Sequence, residues 1–220
     1  DMLEQTVCDL VGEARQSLSS FEVIVVENGS TDNTWEIARD LEKRFHEVRA
    51  ARNPRADYGE AMKTGFLDSR GLHFINFSVD WCDVPHVKKA LACMDDHDVV
   101  LSSKALPAGR DDRPAARRFV TCAYNVILRG LFGIRARDTH ALNLYRASAA
   151  RPFLERCRTG RSLFPTELVI RCERGGLRIT EIPICVAETR ASRKSIVGRA
   201  ARAFGDLFRL RWILWRERSL

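Results

Sequence analysis

Short apolar segments alternate along this chain with segments in which apolar residues recur every three or four positions. The apolar segments predict strands at Phe21–Val26, Val48–Arg52, His73–Val79, Val99–Ser103, Ala141–Tyr145 and Leu177–Val186. The helical spacing predicts helices at Met2–Leu18, Asp32–His46, Tyr58–Ser69, Val84–Asp96, Ala115–Phe132 and Pro165–Gly175, with a last helix from about Val197. This alternation predicts an α/β fold with a mostly parallel sheet flanked by helices.

The composition describes a folded protein with an uneven distribution of charge. The 220 residues suffice for one substantial domain, and 45% hydrophobic content is typical of a globule. Lys and Arg outnumber Asp and Glu by 36 to 29, a net charge of +7. The segment Arg190–Leu220 holds nine basic and two acidic residues, so it accounts for the whole excess. Such a segment suits anionic lipid, a lipid phosphate or nucleic acid, and a solvated helix face explains it equally well.

The cysteines and the apolar runs indicate the compartment. Seven cysteines are scattered along the chain without a CxxC pair, which disfavours a zinc site or a disulfide framework and favours a reducing cytosol. No apolar run reaches the roughly 18 residues of a spanning helix, and no signal peptide is visible. The chain begins at Asp1 rather than Met, so we expect the natural N-terminus to be missing.

The first candidate site follows the predicted strand at Phe21–Val26. That strand ends in Glu27 and Asn28, and a Gly-Ser-Thr-Asp turn ending at Asp32 comes next. Ligands of open α/β sheets bind beyond the carboxyl ends of the strands. The stretch resembles the nucleotide-binding strand-turn-helix of family 2 glycosyltransferases, which have the GT-A fold. The resemblance implies that Glu27, Asn28 and Asp32 contact the base and ribose of a nucleotide sugar. A turn and a helix cap are the alternative, equally favoured for Asp32.

A second candidate site is the run Phe77-Ser-Val-Asp-Trp-Cys-Asp-Val-Pro85. It resembles the Asp-x-Asp-x-x-[acid/His]-x-Pro run of polyprenyl-phosphate sugar transferases, with Ser78 at the first Asp and Asp80 at the second. The resemblance implies that Asp80 and Asp83 hold Mg²⁺ or Mn²⁺, and it implies a catalytic role for Asp80. Carboxylates are the hard oxygen ligands that these ions prefer. Ser78 removes one carboxylate and predicts weaker metal binding, while capping of the next helix is the alternative role.

Two further segments resemble parts of the same family. The run Asn53–Gly65 resembles its Asn-x-Gly-x-Gly-x-Ala-x-x-x-Gly segment, so Gly59 is expected to allow close approach of the nucleotide and Lys63 to face the diphosphate. The loop Ser103–Arg118 resembles the acceptor loop, in which Arg117 is expected to contact a lipid phosphate. A solvated helix start is an equally good interpretation of Arg117.

The later segments repeat the family order. Arg137-Asp-Thr-His140 resembles an Asp-x-x-[Ser/Cys]-Gly segment without its Gly, and Asp138 is expected to serve the acceptor side. Glu181-Ile-Pro-Ile184 matches a Glu-[Val/Ile]-Pro-[Val/Ile] strand. The loop that follows resembles Arg-x-x-Gly-x-Ser, with Arg193 in place of Gly. The resemblance implies that Arg190 and Ser195 close over the diphosphate and the lipid phosphate, and the charge of Lys194 suits the same role.

The domain boundary is placed where the apolar pattern changes. We expect a GT-A domain at 1–195 and a basic amphipathic helix at 196–220. This helix contains Trp212 and Trp215, and its arginines fill much of the face opposite its apolar residues. Such a helix is either an interfacial membrane anchor or a core-packing helix. Family 2 chains begin with an apolar strand before the first helix, and the resemblance implies that this strand is missing from the sequence as given.

The resemblance covers nearly the whole chain and implies a function. The protein is expected to be an inverting glycosyltransferase that moves a sugar from a nucleotide-diphosphate sugar to a polyprenyl phosphate, with a divalent metal as cofactor. A glycan-directed transferase and a non-catalytic nucleotide-sugar-binding relative are the alternatives. The expected location is cytoplasmic, peripheral at the inner face of the membrane. Nucleic acid is not an expected partner, because the basic tail lacks the interleaved aromatics of a stacking surface.

Overall fold

The chain folds into eight helices and eight strands within the part that the structure describes. This computed structural model describes residues 1–106, 110–111, 115–186 and 196–217, and it gives only the backbone at 110, 111, 116, 117, 186 and 196–204. The helices are α1 (Met2–Ser17), α2 (Thr34–Arg44), α3 (Tyr58–Asp68), α4 (Val84–Leu91), α5 (Ala115–Phe132), α6 (Ala147–Glu155), α7 (Phe164–Arg174) and α8 (Ile196–Arg216). The strands are β1 (Val23–Asn28), β2 (Val48–Asn53), β3 (His73–Ile75), β4 (Val99–Ser103), β5 (Arg110–Asp111), β6 (Leu144–Arg146), β7 (Ile179–Pro183) and β8 (Cys185–Val186).

The central sheet has the strand order β3-β6-β4-β7. Strand β4 pairs parallel with β7, whereas β6 pairs antiparallel with both β3 and β4. Three of the four strands therefore run in one direction, and their carboxyl ends lie at one edge of the sheet. All five residues of β4 are buried, as a continuous apolar run in a sheet covered on both faces predicts. The α/β class predicted from the sequence is confirmed.

Strands β1 and β2 form a separate parallel pair beside this sheet. The carboxylate of Glu22, just before β1, accepts hydrogen bonds from the amides of Arg70 at 2.5 Å and Gly71 at 3.0 Å, just before β3. These bonds place the start of β1 beside the start of β3. Among the described residues no strand lies between them. The expectation that the chain lacks the family's first strand stays a prediction.

Several elements differ from the sequence-based expectation, and β3 and α6 are two of them. Strand β3 ends at Ile75 rather than Val79, because Ser78 and Trp81 pair across a tight turn and the hydroxyl of Thr6 donates to the carbonyl of Val79 at 2.7 Å. Helix α6 was not predicted. It contains Pro152 and begins without a side-chain cap, so the usual signals for a helix start are missing.

The main core lies between the central sheet and helices α5, α7 and α8. Its fully buried members include Leu101 of β4, Leu128 of α5, Leu168 of α7 and Leu210 of α8. A smaller core joins α1 to α2 and β2. Helix α8 is therefore packed into the domain, as the core-packing interpretation of the last helix requires. Its opposite face is exposed to solvent.

A buried ion network connects α7 to the end of α8. The carboxylate of Glu167 accepts hydrogen bonds from the amide of Thr159 at 2.7 Å and from Arg171 Nε at 2.8 Å. The other side of the Arg171 guanidinium binds both carboxylate oxygens of Glu217, at 2.7 and 3.1 Å. The Glu167 side chain is fully buried, so it depends on these donors to offset the loss of its hydration.

We expect Arg171→Met to destabilise the protein by about 3–5 kcal/mol, because the variant keeps the volume of the side chain but leaves Glu167 buried without a counter-charge. The free energy of unfolding in urea measures the effect. Arg178→Met is the matched control, since Arg178 pairs with Asp98 at the surface and should change stability little. Unchanged stability of the Arg171 variant would contradict the role given to the network.

Candidate active site

The carboxylate of Glu27 is held at the carboxyl end of β1. Its side chain is fully buried, and one oxygen accepts a hydrogen bond from the amide of Ser30 in the turn that follows. The other oxygen pairs with Arg52 Nε at 3.0 Å. Burial raises the pKa of Glu27. The hydrogen bonds from Ser30 and Arg52 lower this pKa by more than burial raises it, so the net shift is downward. Glu27 is therefore a fixed negative charge at this edge of the sheet.

Arg52 also forms part of a cation–aromatic surface beside Glu27. Its guanidinium carbon lies 5.5 Å from the centroid of the Trp35 ring, and that of Arg39 lies 5.8 Å from the same ring. About half of the Arg52 side chain is exposed. Arg52 lies opposite Glu27 in the parallel β1–β2 register. The sequence motifs do not single it out, although its place at the end of the predicted strand Val48–Arg52 is a signal of the same kind as that of Glu27.

Asn28 and Asp32 use their side-chain oxygens within the chain. Asn28 Oδ1 accepts from the amide of Asp57 at 2.8 Å and from Asn53 Nδ2 at 3.1 Å, which ties the end of β1 to the loop after β2. Asp32 is exposed, and its Oδ1 accepts hydrogen bonds from the hydroxyl and the amide of Thr34 at the start of α2. These bonds lower the pKa of Asp32. Asp32 thus has the local role that the capping alternative predicted, with its exposed face free to meet a ligand.

Gly59 and Lys63 of α3 both contact another segment of the protein, residues 157–161. A Cβ at Gly59 would lie 2.6–2.7 Å from the backbone of Gly160 and Arg161, so this glycine allows the first turn of α3 to approach that segment closely. Lys63 Nζ donates to the carbonyl of Cys157 at 2.6 Å. The contacts of both residues are with the 157–161 segment, which the sequence analysis did not connect with them.

The turn after β3 carries the predicted metal ligands. Asp80 is exposed, while Asp83 Oδ1 accepts from the amide of His86 at 2.9 Å and caps α4. Within the described ranges no three His, Cys, Asp or Glu side chains converge on one point. Mg²⁺ is commonly held by one or two carboxylates together with substrate phosphates. The exposed carboxylate of Asp80 and the second oxygen of Asp83 fit that kind of site better than a complete protein cage.

A basic pocket opens beside the end of β4. Lys104 follows β4 and pairs through Nζ with Asp138 Oδ2 at 2.8 Å, and the other oxygen of Asp138 accepts from the amide of His140 at 3.0 Å. The pocket has a volume of about 580 Å³ and is lined by Lys104, Ala105, Arg118, Thr121, Cys122, Asn125, Arg129, Arg137 and Asp138. Four cations surround one buried carboxylate, so the pocket suits an anionic ligand.

Glu181 closes the far side of Arg137. Its Oε1 accepts from the amide of Arg137 at 2.6 Å, and its Oε2 lies 3.7 Å from Arg137 Nε. Burial raises the pKa of Glu181, and this outweighs the contacts with Arg137. The Arg137 side chain is half exposed and faces the pocket. The sequence motifs assign no ligand to Arg137 or Arg129, although both line the basic pocket.

Four of the predicted site residues cannot be placed. Arg190, Lys194 and Ser195 lie outside the described residues, and Arg117 belongs to α5 by its backbone alone. Their roles stay predictions.

A comparison with models of known protein families shows the family of this chain. The sequence model of glycosyl transferase family 2 matches residues 1–151, which is more than half of the chain. The chain belongs to glycosyl transferase family 2. The matched range contains Glu27, the Ser78–Asp83 turn and every residue that lines the basic pocket. The family resemblance predicted from the sequence motifs is confirmed.

Among the curated relatives that this chain resembles, two of the three below are named for a lipid phosphate. Dolichyl-phosphate beta-glucosyltransferase ALG5C of Trichomonas vaginalis is 26% identical over 211 residues, which cover 90% of this chain and 62% of that protein. Glycosyltransferase AglD of Haloferax volcanii is 27% identical over 170 residues, 75% of this chain and 27% of that protein. Undecaprenyl-phosphate mannosyltransferase of Micrococcus luteus is 25% identical, over 86% of this chain and 81% of that protein. The chain therefore spans less than two thirds of the length of the first two relatives.

Solved structures support the predicted GT-A fold. Glucosyl-3-phosphoglycerate synthase from Mycobacterium tuberculosis in complex with UDP has a TM-score of 0.67 at 15% identity, over 96% of this chain and 75% of that one. The same enzyme with Mn²⁺, UDP and glucosyl-3-phosphoglycerate has a TM-score of 0.65 at 17% identity, over 94% and 74%. At this identity the likeness concerns the fold, and the GT-A class predicted for the family 2 chain is confirmed.

We expect Glu27→Gln to lower stability at neutral pH and to have less effect in acid. The folded state lowers the pKa of Glu27 from its ordinary 4.5, so its stabilisation is present above pH 4.5 and is lost as the pH falls through the lower folded value. Urea unfolding of the variant and the wild type at several pH values measures the difference. Glu36→Gln, at an exposed position of α2, is the control. A difference that is independent of pH would contradict this assignment.

Proposed function

We propose that this family 2 chain transfers a sugar from a nucleotide-diphosphate sugar to a polyprenyl phosphate. The observation that carries the proposal is the basic pocket, in which Lys104, Arg118, Arg129 and Arg137 surround Asp138 at the carboxyl edge of the sheet. A phosphate monoester at the end of an apolar chain is an anion that such a pocket binds well. The names of the dolichyl-phosphate and undecaprenyl-phosphate relatives support this choice of acceptor.

The donor is assigned to the end of β1. Glu27 is a fixed carboxylate there, and Trp35 with Arg52 offers a flat surface on which a nucleobase can stack. Asn28 and Asp32 shape the adjacent turn and complete the base and ribose contacts. Arg190, Lys194 and Ser195 close over the diphosphate, by resemblance to the family.

The chemistry proposed is a single displacement with inversion. An oxygen of the acceptor phosphate forms a bond to the anomeric carbon while the bond from that carbon to the nucleoside diphosphate breaks on the opposite face. The acceptor phosphate is already ionised, so it needs no general base, and positioning does most of the work. Asp138 orients the Lys104 ammonium toward the acceptor, while Arg117 and the pocket arginines fix the acceptor phosphate.

A divalent metal fits the turn after β3 as a partner of the donor. Asp80 and Asp83 would supply oxygen ligands to the metal, together with oxygens of the donor diphosphate. Bound there, Mg²⁺ or Mn²⁺ neutralises the charge of the leaving group. Gly59 and Lys63 hold the neighbouring α3 against the 157–161 segment and so keep the donor side rigid.

The protein is proposed to act at the cytoplasmic face of a membrane, bound peripherally, because its acceptor is a lipid. One observation favours a second candidate, a non-catalytic relative that binds a nucleotide sugar. Ser78 stands where the family has the first metal carboxylate, and loss of a ligand weakens the metal site. A glycan-directed transferase is disfavoured, since a hydroxyl acceptor needs a base and Asp138 is engaged by Lys104.

Transfer of radiolabelled sugar from GDP- and UDP-sugars tests the proposal. The acceptors are a polyprenyl phosphate in detergent and, separately, a free oligosaccharide. Label that partitions into the organic phase supports the lipid acceptor, and label on the oligosaccharide alone overturns it in favour of glycan transfer. Nucleotide-sugar binding without transfer overturns it in favour of the non-catalytic relative.

We expect Arg129→Ala to raise the KM for the polyprenyl phosphate roughly ten- to hundredfold with kcat less affected, because a charge-assisted hydrogen bond to the acceptor is lost. Steady-state kinetics with the lipid acceptor varied measure the change. Arg135→Ala removes an exposed arginine outside the pocket and should leave the KM unchanged. Equal effects of the two substitutions would argue against the pocket as the acceptor site.

We expect Asp80→Asn to weaken Mn²⁺ binding in the presence of nucleotide by about tenfold or more, and Ser78→Asp to strengthen it, because each changes the number of carboxylates at the turn. The extra thermal stabilisation given by Mn²⁺ and nucleotide together, compared with nucleotide alone, is the readout. Asp68→Asn, exposed at the end of α3, is the control. A metal effect that survives Asp80→Asn would rule out this turn as the metal site.

A further inference from the structure

Large apolar side chains are exposed on the outward faces of α5 and α8. On α5 they are Phe119 (75% exposed), Val126 (53%) and Ile127 (38%), and on α8 they are Phe208 (64%), Trp212 (55%) and Trp215 (62%). These six are more than half of the ten exposed large apolar side chains in the part of the chain that the structure describes. We refer to these six residues as the α5–α8 surface.

Helix α8 presents two different apolar faces. One face buries Leu207, Leu210 and Leu214 in the main core. The other carries Phe208, Trp212 and Trp215, which recur at intervals of four and three residues and therefore lie on one side of the helix. The second face does not contribute to the core, so the stability of the fold gives no reason for its aromatic residues.

The two helices pack together, so their outward faces are neighbours. Arg211 Nη1 of α8 donates to the carbonyl of Leu131 in α5 at 2.5 Å. Both helices belong to the same core, through Leu128 and Phe132 of α5 and Leu210 of α8. The exposed apolar residues thus lie on two helices that pack against each other.

Basic residues border the α5–α8 surface, and acidic residues are few on its two helices. Arg209 and Arg216 are exposed on α8, and the Arg216 guanidinium lies 4.7 Å from the centroid of the Trp212 ring. Helix α5 contains no acidic residue. Helix α8 contains one, Asp206, which is partly buried, and Glu217 just after it is engaged by Arg171. Aromatic side chains with flanking arginines are typical of a helix that lies at the interface of an anionic bilayer. No described helix is long and apolar enough to cross a membrane.

The same helix lines the acceptor pocket. Arg118 and Arg129 of α5 both border the basic pocket, and both are exposed. We propose that the α5–α8 surface docks on an anionic lipid bilayer and thereby brings the mouth of the basic pocket to the level of the lipid headgroups. This inference rests on the proposed function only in that the pocket receives a lipid phosphate.

Vesicle binding tests the docking surface without either substrate. The full chain is mixed with vesicles of phosphatidylcholine alone or with phosphatidylglycerol, free of polyprenyl phosphate and nucleotide sugar, and the bound fraction is measured by sedimentation. We expect binding to the anionic vesicles, a weaker effect at high salt, and a loss of roughly tenfold or more in the partition coefficient for Trp212→Ala combined with Trp215→Ala. Phe119→Ala is expected to weaken binding in the same direction.

A matched control separates this surface from general stickiness. Leu72→Ala removes the most exposed large apolar side chain, 83% exposed, from the turn before β3, and it should bind as the wild type does. Quenching of tryptophan fluorescence by brominated lipid, lost in the double variant, would place Trp212 and Trp215 in the bilayer. No binding, or binding that both tryptophan substitutions leave unchanged, overturns the proposal. Self-association in solution that the double variant abolishes also overturns it, in favour of a second copy. Transfer in detergent measures the proposed function separately.

Discussion

The pairing of buried carboxylates with basic side chains is the interaction on which this structure depends most. Glu27 pairs with Arg52, Asp138 with Lys104, and Glu167 with Arg171. The first two pairs join segments that come from different elements, whereas Glu167 and Arg171 both lie in α7 and bind Thr159 and Glu217 from there. Each carboxylate is almost completely removed from water. A buried carboxylate without its cation is costly, so these pairs fix the relative positions of the strand ends and loops from which the candidate site is built. Two of the three pairs lie in that site.

Local pattern was enough to predict most of the elements, and it failed where distant contacts decide the structure. The buried strand at Val99–Ser103 and the helix at Ala115–Phe132 have the predicted bounds. The run after His73 looks like a long strand, but a turn at Ser78–Trp81 takes it out of the sheet. The antiparallel direction of β6 has no signal in the sequence, because it results from how the chain returns after α5.

The candidate site was predictable in its positions and less so in its partners. The strand-end rule located Glu27 and the turn with Asp80, since it depends only on the order of the elements. It did not give the pairing of Lys104 with Asp138, which brings together residues on either side of α5. Helix α5 also connects two properties that the sequence showed separately. It contributes arginines to the basic pocket and apolar residues to the α5–α8 surface, so the proposed acceptor site and the proposed docking surface share one helix.

The contact between Asp57, Gly59 and Gly160 has a consequence for how this protein can change over evolution. A Cβ at Gly59 would overlap the backbone of Gly160 and Arg161, and a Cβ at Gly160 would lie 2.6 Å from Asp57 Oδ2. Asp57 in turn accepts the amide of Arg161 at 2.5 Å, and Arg161 has a positive φ of 51°. Gly59 cannot accept a side chain while the backbone of Gly160 and Arg161 stays in place, and a side chain at Gly160 requires the Asp57 carboxylate to move. Substitutions at Gly59 and Gly160 should therefore appear in descendants of this sequence only together with changes at the residues that they contact.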